Sequence, residues 1–375
     1  MRVPLVDIAA QDALLADEVL AAIAQVAKVG SFILGPPVEQ FEHWLAAATG
    51  AAHAVGVASG TDALQLSLRA LGVGSGDAVV TSAFSFVAAA EAIANVGARP
   101  VFCDVDAQTM NVSEHTVQDA LDCARRARLR VRAVIPVHLF GLCAPLEPLR
   151  ALALREKIAL VEDAAQAIGA SDANGNAAGR VGDAAAFSFF PTKNLGAWGD
   201  GGAMVTSRED VAARVRRLRA HGAVEPHVHV EIGKNSRLDT LQAAVLLTKT
   251  RSLAAWQAAR TRIASRYLAE FARFPLRLPC LPDPPARHGW HAFVVRSDRR
   301  DALARWLRER GVDVRVYYPR PLHLQACFAS LGESSQPVAE EASRTALALP
   351  LYPTMHDAQQ DYVIEQVARF FEERF

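Results

Sequence analysis

One lysine stands where the surrounding residues favour nucleophilic chemistry. Lys193 follows the apolar run 184–190 and Pro191, and it precedes the glycine-rich segment 196–202. Apolar surroundings disfavour the ammonium form of a lysine and lower its pKa. An amine that is neutral part of the time can attack an aldehyde and form a Schiff base. Because most lysines are simply solvated at the surface, this interpretation needs support from other parts of the chain.

A second signal lies between a predicted strand, residues 54–58, and the helix that follows it. The junction reads Ser59-Gly60-Thr61-Asp62. Glycine lets a ligand approach the backbone closely, and the free N–H groups and positive dipole end of a helix start suit a phosphate. The same residues also fit an ordinary helix N-cap at Thr61 or Asp62, so the junction alone does not decide between the two.

An acidic pair marks the end of another predicted strand. Glu162 and Asp163 close the apolar segment 158–162, and Gln166 follows shortly after. Ligands of open α/β sheets bind at the carboxyl ends of the strands, which places Asp163 well to meet a ligand. The alternative is an aspartate that only caps the next helix.

The elements that must position these residues alternate along the chain. Nearly apolar segments at 78–81, 99–105, 131–137 and 158–162 are typical of buried strands, and helical segments separate them. This pattern predicts an α/β fold with a mostly parallel sheet between layers of helices.

A proline-rich stretch suggests where the chain divides. Residues 275–287 form the clearest linker, and a smaller α+β region follows them. We predict a large domain over residues 1–250, which begins with a helical segment, and a small C-terminal domain over residues 251–375.

Composition argues against several classes of protein. Lysine plus arginine and aspartate plus glutamate number 40 each, so neither a nucleic-acid face nor a basic membrane patch is expected. The N-terminal residues include acids where a signal peptide would be apolar, and no apolar run reaches membrane-spanning length. We therefore expect a soluble protein of the cytoplasm.

Neither the cysteines nor the histidines suggest a metal site. The five cysteines have irregular spacing and are interpreted as small core residues of a reducing compartment. His227 and His229, with Glu231 nearby, alternate in a polar loop without a third ligand at a recognisable spacing. No metal is predicted.

Seven segments in order along the chain carry a family resemblance. They read FILGPPVEQFE, ASGTDALQLSLRALGVGSGD, PVHLFG, VEDAAQAIGA, FSFFPTKNLGAWGDGGAMVT, NSRLDTLQAAVL and YYPRPLHLQACF. The chain thereby resembles the DegT/DnrJ-type sugar-nucleotide aminotransferases over nearly its full length. These are enzymes of fold type I that depend on pyridoxal 5'-phosphate. Single segments such as SGTD are weak signals, whereas seven in family order make coincidence very improbable.

The resemblance implies roles around the cofactor ring. Lys193 would hold the cofactor aldehyde as a Schiff base and later move a proton between substrate carbon and cofactor carbon. Asp163 would pair with the pyridinium nitrogen and keep the ring protonated, so that it accepts electrons. Gln166 would lie beside the ring, and Phe86 would stack on its face.

The resemblance also implies the residues that hold the phosphate and the sugar. Gly60, Thr61 and Ser188 would bind the phosphate of the cofactor. In the family, the loop that matches Asn235 comes from the other subunit, which implies a homodimer with shared active sites. Tyr318 and His323 match a turn that lies near the sugar, although both would equally suit packing beside two prolines.

The implied reaction is a transamination in two halves. L-glutamate would give its amino group to the cofactor and leave as 2-oxoglutarate, and a keto sugar linked to dTDP or UDP would then receive that group. The segment KNLGAWGDGG, which begins at Lys193, resembles the corresponding segment of family members that act on 3-keto hexoses. A 4-keto-6-deoxy sugar is the alternative substrate. Ile168 stands where the family often has histidine, a difference that bears on substrate preference.

Two further functional classes are compatible with the fold. Some relatives were first described as regulators, and a non-catalytic regulator would be expected to lose the lysine or the aspartate; both are present. The fold alone is equally compatible with a different pyridoxal-phosphate activity, such as that of a decarboxylase, a lyase or an amino-acid aminotransferase. The segments PVHLFG and NSRLDTLQAA favour the sugar-nucleotide class. Lys193 itself argues against the dehydratases that carry histidine at this position.

Overall fold

The computed structural model describes residues 1–332 and 334–372. The helices are α1 (Ile8–Ala13), α2 (Ala16–Val29), α3 (Pro36–Thr49), α4 (Gly60–Ala70), α5 (Ala88–Asn95), α6 (Glu114–Arg126), α7 (Leu146–Glu156), α8 (Glu209–Leu218), α9 (Thr240–Thr250), α10 (Leu253–Phe271), α11 (Arg300–Glu309), α12 (Pro337–Thr345) and α13 (Asp357–Glu372). The strands are β1 (His53–Val57), β2 (Asp77–Ser82), β3 (Arg99–Cys103), β4 (Arg130–Ile135), β5 (Ala159–Asp163), β6 (Ala184–Ser188), β7 (Gly202–Thr206), β8 (Ala223–Glu225), β9 (Val228–His229), β10 (Phe293–Arg296) and β11 (Ala346–Leu349). The pairs β8–β9 and β10–β11 form two small sheets of their own.

The main sheet has seven strands in the order β1-β7-β6-β5-β4-β2-β3. Neighbours from β6 to β3 run parallel, whereas β7 runs antiparallel to both β6 and β1. The carboxyl ends of all these strands except β7 therefore lie at one edge. The predicted α/β class with a mostly parallel sheet is confirmed.

Alternating side chains of the strands supply two separate cores. In β6, Ala184 and Ala186 belong to the cluster formed with α4 to α7, while Ala185 and Phe187 belong to the cluster formed with α3 and α9. This is the period-two pattern of a strand buried on both faces. Because both faces of the sheet are covered, a ligand can bind only where the strands end.

The C-terminal region packs around a third core. Strands β10 and β11 pair antiparallel, and α10, α11 and α13 cover them with large apolar side chains. Val3 belongs to this core as well, because its backbone bridges to Val312. The N-terminal strand segment is thus tied to the C-terminal region, a link that the sequence prediction did not include. The division at residue 250 stays a prediction.

Several predicted boundaries differ from the structure. The apolar spacing of residues 11–30 predicts one helix, but the structure has two, α1 and α2, with a turn at the exposed Leu14 between them. The sequence predicts a loop at residues 35–37, whereas α3 begins at Pro36, because proline is tolerated in the first turn, where its missing N–H costs nothing. The sequence also predicts a helix from Ala83, but α5 begins at Ala88, and Ala83 N–H instead donates to Cys103 O at 2.8 Å.

The cysteines only partly meet the expectation of small core residues. Cys103 is buried, Cys143 and Cys280 are half-buried, and Cys123 and Cys327 are exposed. Within residues 1–332 and 334–372, no group of three or more histidine, cysteine or acidic side chains is arranged to hold a metal ion. Across the same residues, none of the helices combines the length and apolarity required to cross a membrane.

Candidate active site

Lys193 lies in the loop that leaves the carboxyl end of β6. Its backbone N–H donates to Phe190 O at 2.8 Å, which holds the loop in a tight turn. Burial lowers the pKa of the Lys193 amine to about 8, and the charge of Asp163 acts in the opposite direction. The amine is thus partly neutral near physiological pH, as a nucleophile requires.

Asp163 ends β5 beside that lysine, with 5% of its surface exposed. Its backbone is held on both sides: its N–H donates to Pro136 O at 2.9 Å, and its carbonyl accepts from His138 N–H at 3.0 Å. The Oδ1 atom accepts from Ala165 N–H at 3.1 Å. Burial raises the pKa of the carboxyl, and the positive charge of Lys193 opposes that rise.

Gln166 joins two aromatic residues at the same edge of the sheet. Its Oε1 accepts from Phe140 N–H at 2.7 Å, and its Nε2 donates to the Tyr318 hydroxyl at 3.0 Å. The rings of Phe140 and Tyr318 stack with centroids 6.3 Å apart. Phe86, whose side chain is 56% exposed, lies with its ring centroid 6.4 Å from that of Tyr318. These side chains form an aromatic wall.

The start of α4 lies tightly against the ends of β6 and β7. Ser59 caps the helix, and a Cβ added to Gly60 would lie 2.8 Å from Ser188 Cβ. A Cβ on Gly202 would collide with the Ser59 backbone. The glycines therefore permit this approach, which places Gly60 and Thr61 beside Ser188. The first N–H groups of the helix and one hydroxyl meet here, as a bound phosphate requires.

Two of the residues named from the sequence lie outside this cluster. Asn235 is exposed, and its backbone bridges to Ala220. His323 is buried, and its Nε2 lies 3.3 Å from Glu340 Oε1. The roles of both residues stay predictions.

A cavity of about 470 Å³ adjoins the lysine loop. Thr192 and His291 line it, together with residues of the N-terminal strand segment and of the C-terminal region. Burial holds the pKa of His291 well below its ordinary value, and the charges of Lys193 and Arg260 lower it further. Within the described part of the chain, His291 Nδ1 has no hydrogen-bond partner.

Sequence reasoning did not identify His291 or Phe140. The motif PVHLFG contained Phe140, yet only the fold brings its N–H to Gln166. His291 begins the apolar segment 291–295, which is typical of a strand, and nothing in the local sequence distinguishes it from a packing residue.

The comparison with family models decides the class. Residues 14–368 match the model of the DegT/DnrJ/EryC1/StrS aminotransferase family. The chain belongs to this family. The match spans both the main sheet and the C-terminal region, so it covers every candidate residue described above.

Similar proteins agree over nearly the whole length. The chain is 42% identical to a pleiotropic regulatory protein of Geobacillus stearothermophilus over 99% of both chains. It is 41% identical to a UDP-N-acetyl-3-dehydro-alpha-D-glucosamine 3-aminotransferase of Acidithiobacillus ferrooxidans over 95% of both. It is also 41% identical to a dTDP-3-amino-3,4,6-trideoxy-alpha-D-glucose transaminase of Streptomyces venezuelae, covering 99% of this chain and 97% of that one.

A solved structure has the same fold. S. venezuelae DesV, crystallised in complex with a ketimine intermediate, matches with a TM-score of 0.94 and 41% identity over 99% of both chains. The family resemblance, the fold class and the aminotransferase class inferred from sequence are thereby confirmed.

Proposed function

We propose that this protein is a pyridoxal-phosphate-dependent aminotransferase that moves the amino group of L-glutamate to the C3 keto group of a nucleotide-linked hexose. The observation that carries the proposal is Lys193, a half-buried residue in the loop after β6. Loss of hydration lowers the pKa of its amine to about 8, and the charge of Asp163 opposes this decrease. Lys193 would supply a reactive amine, Asp163 would contact the cofactor ring, and the start of α4 would bind its phosphate.

The residues present fit pyridoxal phosphate. Gly60 and Thr61 open α4, where the first N–H groups of a helix have no partner within it, and they would bind the phosphate together with the Ser188 hydroxyl. Asp163 would hold the ring nitrogen in its protonated form, because a buried carboxylate needs a cationic partner. When bound, the cofactor supplies an aldehyde that takes up the amino group and a ring that accepts an electron pair.

Lys193 would act as both base and acid. A pKa of about 8 lets the amine take a proton from the substrate carbon in one half of the reaction and return it in the other. Asp163 restrains how far burial lowers that pKa, so the two side chains set the proton affinity together. The aromatic wall would limit the access of water to the reacting atoms.

The proposed substrate class follows from the relatives. Two of the relatives described above, from Acidithiobacillus ferrooxidans and Streptomyces venezuelae, have names that place the amino group at C3 of the sugar. One name specifies a UDP sugar and the other a dTDP sugar, so the nucleotide stays open between the two. The cavity of about 470 Å³ reaches the lysine loop at Thr192, but Lys193, Asp163 and Ser188 are not among the residues that line it, so the substrate class rests on the relatives and not on this cavity.

A regulatory role without catalysis is less consistent with the site. One relative bears a regulator's name. A chain selected only for regulation has no need of a lysine with a lowered pKa beside a buried aspartate, and this chain keeps both. The name of that relative therefore does not weaken the enzymatic proposal.

A homodimer is also part of the proposal. Asn235 lies exposed on its own subunit, which suits a residue that contacts the cofactor phosphate of a partner. Phe32, Ile33 and Leu34 are large apolar residues that are also exposed, and such a patch is typical of an interface.

A substrate panel tests the proposal. Purified protein is incubated with pyridoxal phosphate, L-glutamate and 3-keto or 4-keto sugars linked to UDP or dTDP, and the products are identified by mass spectrometry. We expect 3-amino sugar nucleotides together with 2-oxoglutarate. Amino products from the 4-keto sugars alone would contradict the assignment to C3, and no amino product from any sugar would contradict the substrate class.

A further inference from the structure

A glutamate and a histidine are buried directly behind Asp163. Glu162 precedes Asp163 in β5, and both Glu162 and His138 are 0% exposed. His138 Nε2 lies 2.9 Å from Glu162 Oε2, and Ala144 N–H donates to His138 Nδ1 at 3.1 Å. Because Nδ1 accepts a hydrogen bond, the ring proton lies on Nε2 and is donated to Glu162.

Three backbone amides complete the surroundings of Glu162. Gly179 N–H donates to Oε2 at 2.6 Å, while Val181 N–H and Gly182 N–H donate to Oε1 at 3.0 and 2.6 Å. With His138, four donors surround one carboxylate. These amides belong to the segment that leads into β6, so Glu162 ties that segment to β5.

His138 connects the same pair to Asp163. Its side chain donates to Glu162, and its backbone N–H donates to Asp163 O at 3.0 Å. Successive strand residues point to opposite faces, so Glu162 and Asp163 project on opposite sides of the sheet. Glu162 and His138 thus fix the backbone of Asp163, while the Glu162 side chain lies on the face of the sheet opposite to the Asp163 side chain.

We infer that Glu162 and His138 are positioning residues that fix Asp163 relative to Lys193, an inference that rests on the proposed function. They join the ends of β4 and β5 to the segment before β6, and β6 leads on to Ser188 and Lys193. Apolar side chains could fill this space at lower desolvation cost, whereas four directed hydrogen bonds specify one relative placement of the strands. A site of this kind requires such precision.

Glu162→Gln keeps the packing volume of the side chain but disturbs the hydrogen bonds that position Asp163. Glutamine has almost the same volume, but its amide nitrogen would face Gly179 N–H and His138 Nε2–H, and a donor cannot accept from a donor. The segment before β6 and the Asp163 backbone would then shift. A displaced Asp163 no longer keeps the cofactor ring protonated, and a less electron-withdrawing ring makes the lysine nitrogen bound to it more basic.

The experiment measures the cofactor-loaded enzyme by three readouts: the pH midpoint of the visible absorption band, kcat and KM, and the melting temperature. For Glu162→Gln we expect a higher pH midpoint and a fall in kcat of about 10- to 100-fold, which is the range typical of residues that orient the ligands of a metal ion. Since the substrate does not contact Glu162, KM should change little.

Glu42→Gln is the matched control. Glu42 also accepts from a backbone amide, Gly56 N–H at 2.7 Å, and from the buried Arg219 at 2.5 Å, but it lies in α3. We expect this variant to melt at a lower temperature with an unchanged pH midpoint. An unchanged midpoint and kcat in Glu162→Gln would overturn the inference, as would an equal midpoint shift in the control.

A second variant covers the case in which Glu162→Gln does not fold. His138→Gln keeps a side-chain N–H for Glu162 and loses the acceptor for Ala144 N–H, so we expect a shift in the same direction and a smaller loss of kcat. A normal midpoint in this variant would also overturn the inference. Failure of the proposed function looks different. Without cofactor binding, the wild-type protein would itself lack a titrating visible band, and with a different substrate the band would titrate normally while the sugar nucleotide panel gave no amino product.

Discussion

At the residue scale, the chemistry depends on the proton affinity of Lys193. Burial lowers the pKa of its amine to about 8, and Asp163 keeps it from falling further. The two effects come from different parts of the structure, since the apolar surroundings belong to the Lys193 loop and the charge belongs to β5. Changing one residue should therefore move the proton affinity in a direction known in advance.

We expect the rate at which the apoenzyme captures pyridoxal phosphate to rise with pH around a midpoint near 8, rather than near the ordinary lysine value of 10.5. Only the neutral amine attacks the aldehyde, and its fraction increases as the pH passes the pKa. Stopped-flow absorbance measures this rate. In Asp163→Asn the midpoint should fall below that of wild type, because the charge that favours the ammonium form is lost. A midpoint that rises in this variant would contradict the assigned coupling.

Tyr318 tests the aromatic wall. Tyr318→Phe keeps the ring that stacks on Phe140 but removes the hydroxyl that accepts from Gln166 Nε2. A buried donor left without a partner costs about 1–3 kcal/mol, so we expect kcat/KM to fall roughly 5- to 150-fold. Tyr362→Phe is the control, because it also removes one hydroxyl hydrogen bond, donated to Arg310 O at 2.9 Å, but within the C-terminal core. Equal losses in both variants would exclude a specific role for the Tyr318 hydroxyl.

At the element scale, the start of α4 and the adjoining ends of β6 and β7 would form the proposed phosphate site. Gly60 is required there because any side chain would press on Ser188. The strand ends place Asp163 and Ser188 at the same edge, since β5 and β6 run parallel. The site is thus a property of the sheet topology as much as of its individual residues.

Gly60→Ala should weaken cofactor binding. The new Cβ would lie 2.8 Å from Ser188 Cβ and would force the helix start away from β6. Loss of one hydrogen bond to a charged phosphate costs about 1.5–3 kcal/mol, or roughly 10- to 150-fold in Kd. Gly74→Ala is the matched control, because its Cβ would meet only Val96 O at 3.8 Å. Fluorescence titration of the apoenzyme gives both values, and equal Kd values would contradict a phosphate site here.

Part of this arrangement could be predicted from the sequence, for a physical reason. Buried parallel strands are apolar and the residues that follow them reach the ligand edge, which is why Asp163 and Lys193 could be named as candidates, whereas Gln166 was named only from the family resemblance. Contacts between distant segments leave no local signal. Phe140 N–H meets Gln166, and Glu162 meets Gly179, only after the strands have paired.

At the scale of the whole molecule, the N-terminal segment packs against the C-terminal region. Val3 bridges to Val312, and Lys249, which is 1% exposed, pairs with Asp12 of α1 at 2.6 Å. The N-terminal segment therefore links the third core to the end of α9. This link surrounds the cavity next to His291 with residues from both ends of the chain.

Shared sites in a homodimer make a prediction about mixed subunits. Lys193→Ala and Asn235→Ala should each be weakly active alone. A dimer with one subunit of each kind contains one site with both native residues, so after subunit exchange we expect about one quarter of the wild-type activity from the statistics of a symmetric dimer. Mass spectrometry of the intact complex confirms the exchange. Exchange without recovery would show that Asn235 serves its own subunit or none.

The central claim is that Lys193, and no other lysine, holds the cofactor. The chain has only four other lysines, Lys28, Lys157, Lys234 and Lys249, which makes peptide mapping unambiguous. The loaded protein is reduced with borohydride, digested and sequenced by mass spectrometry. We predict a pyridoxyl adduct on the peptide that contains Lys193 and none after Lys193→Ala. An adduct on another lysine in the wild type, or persistence of the adduct in the variant, would contradict the account.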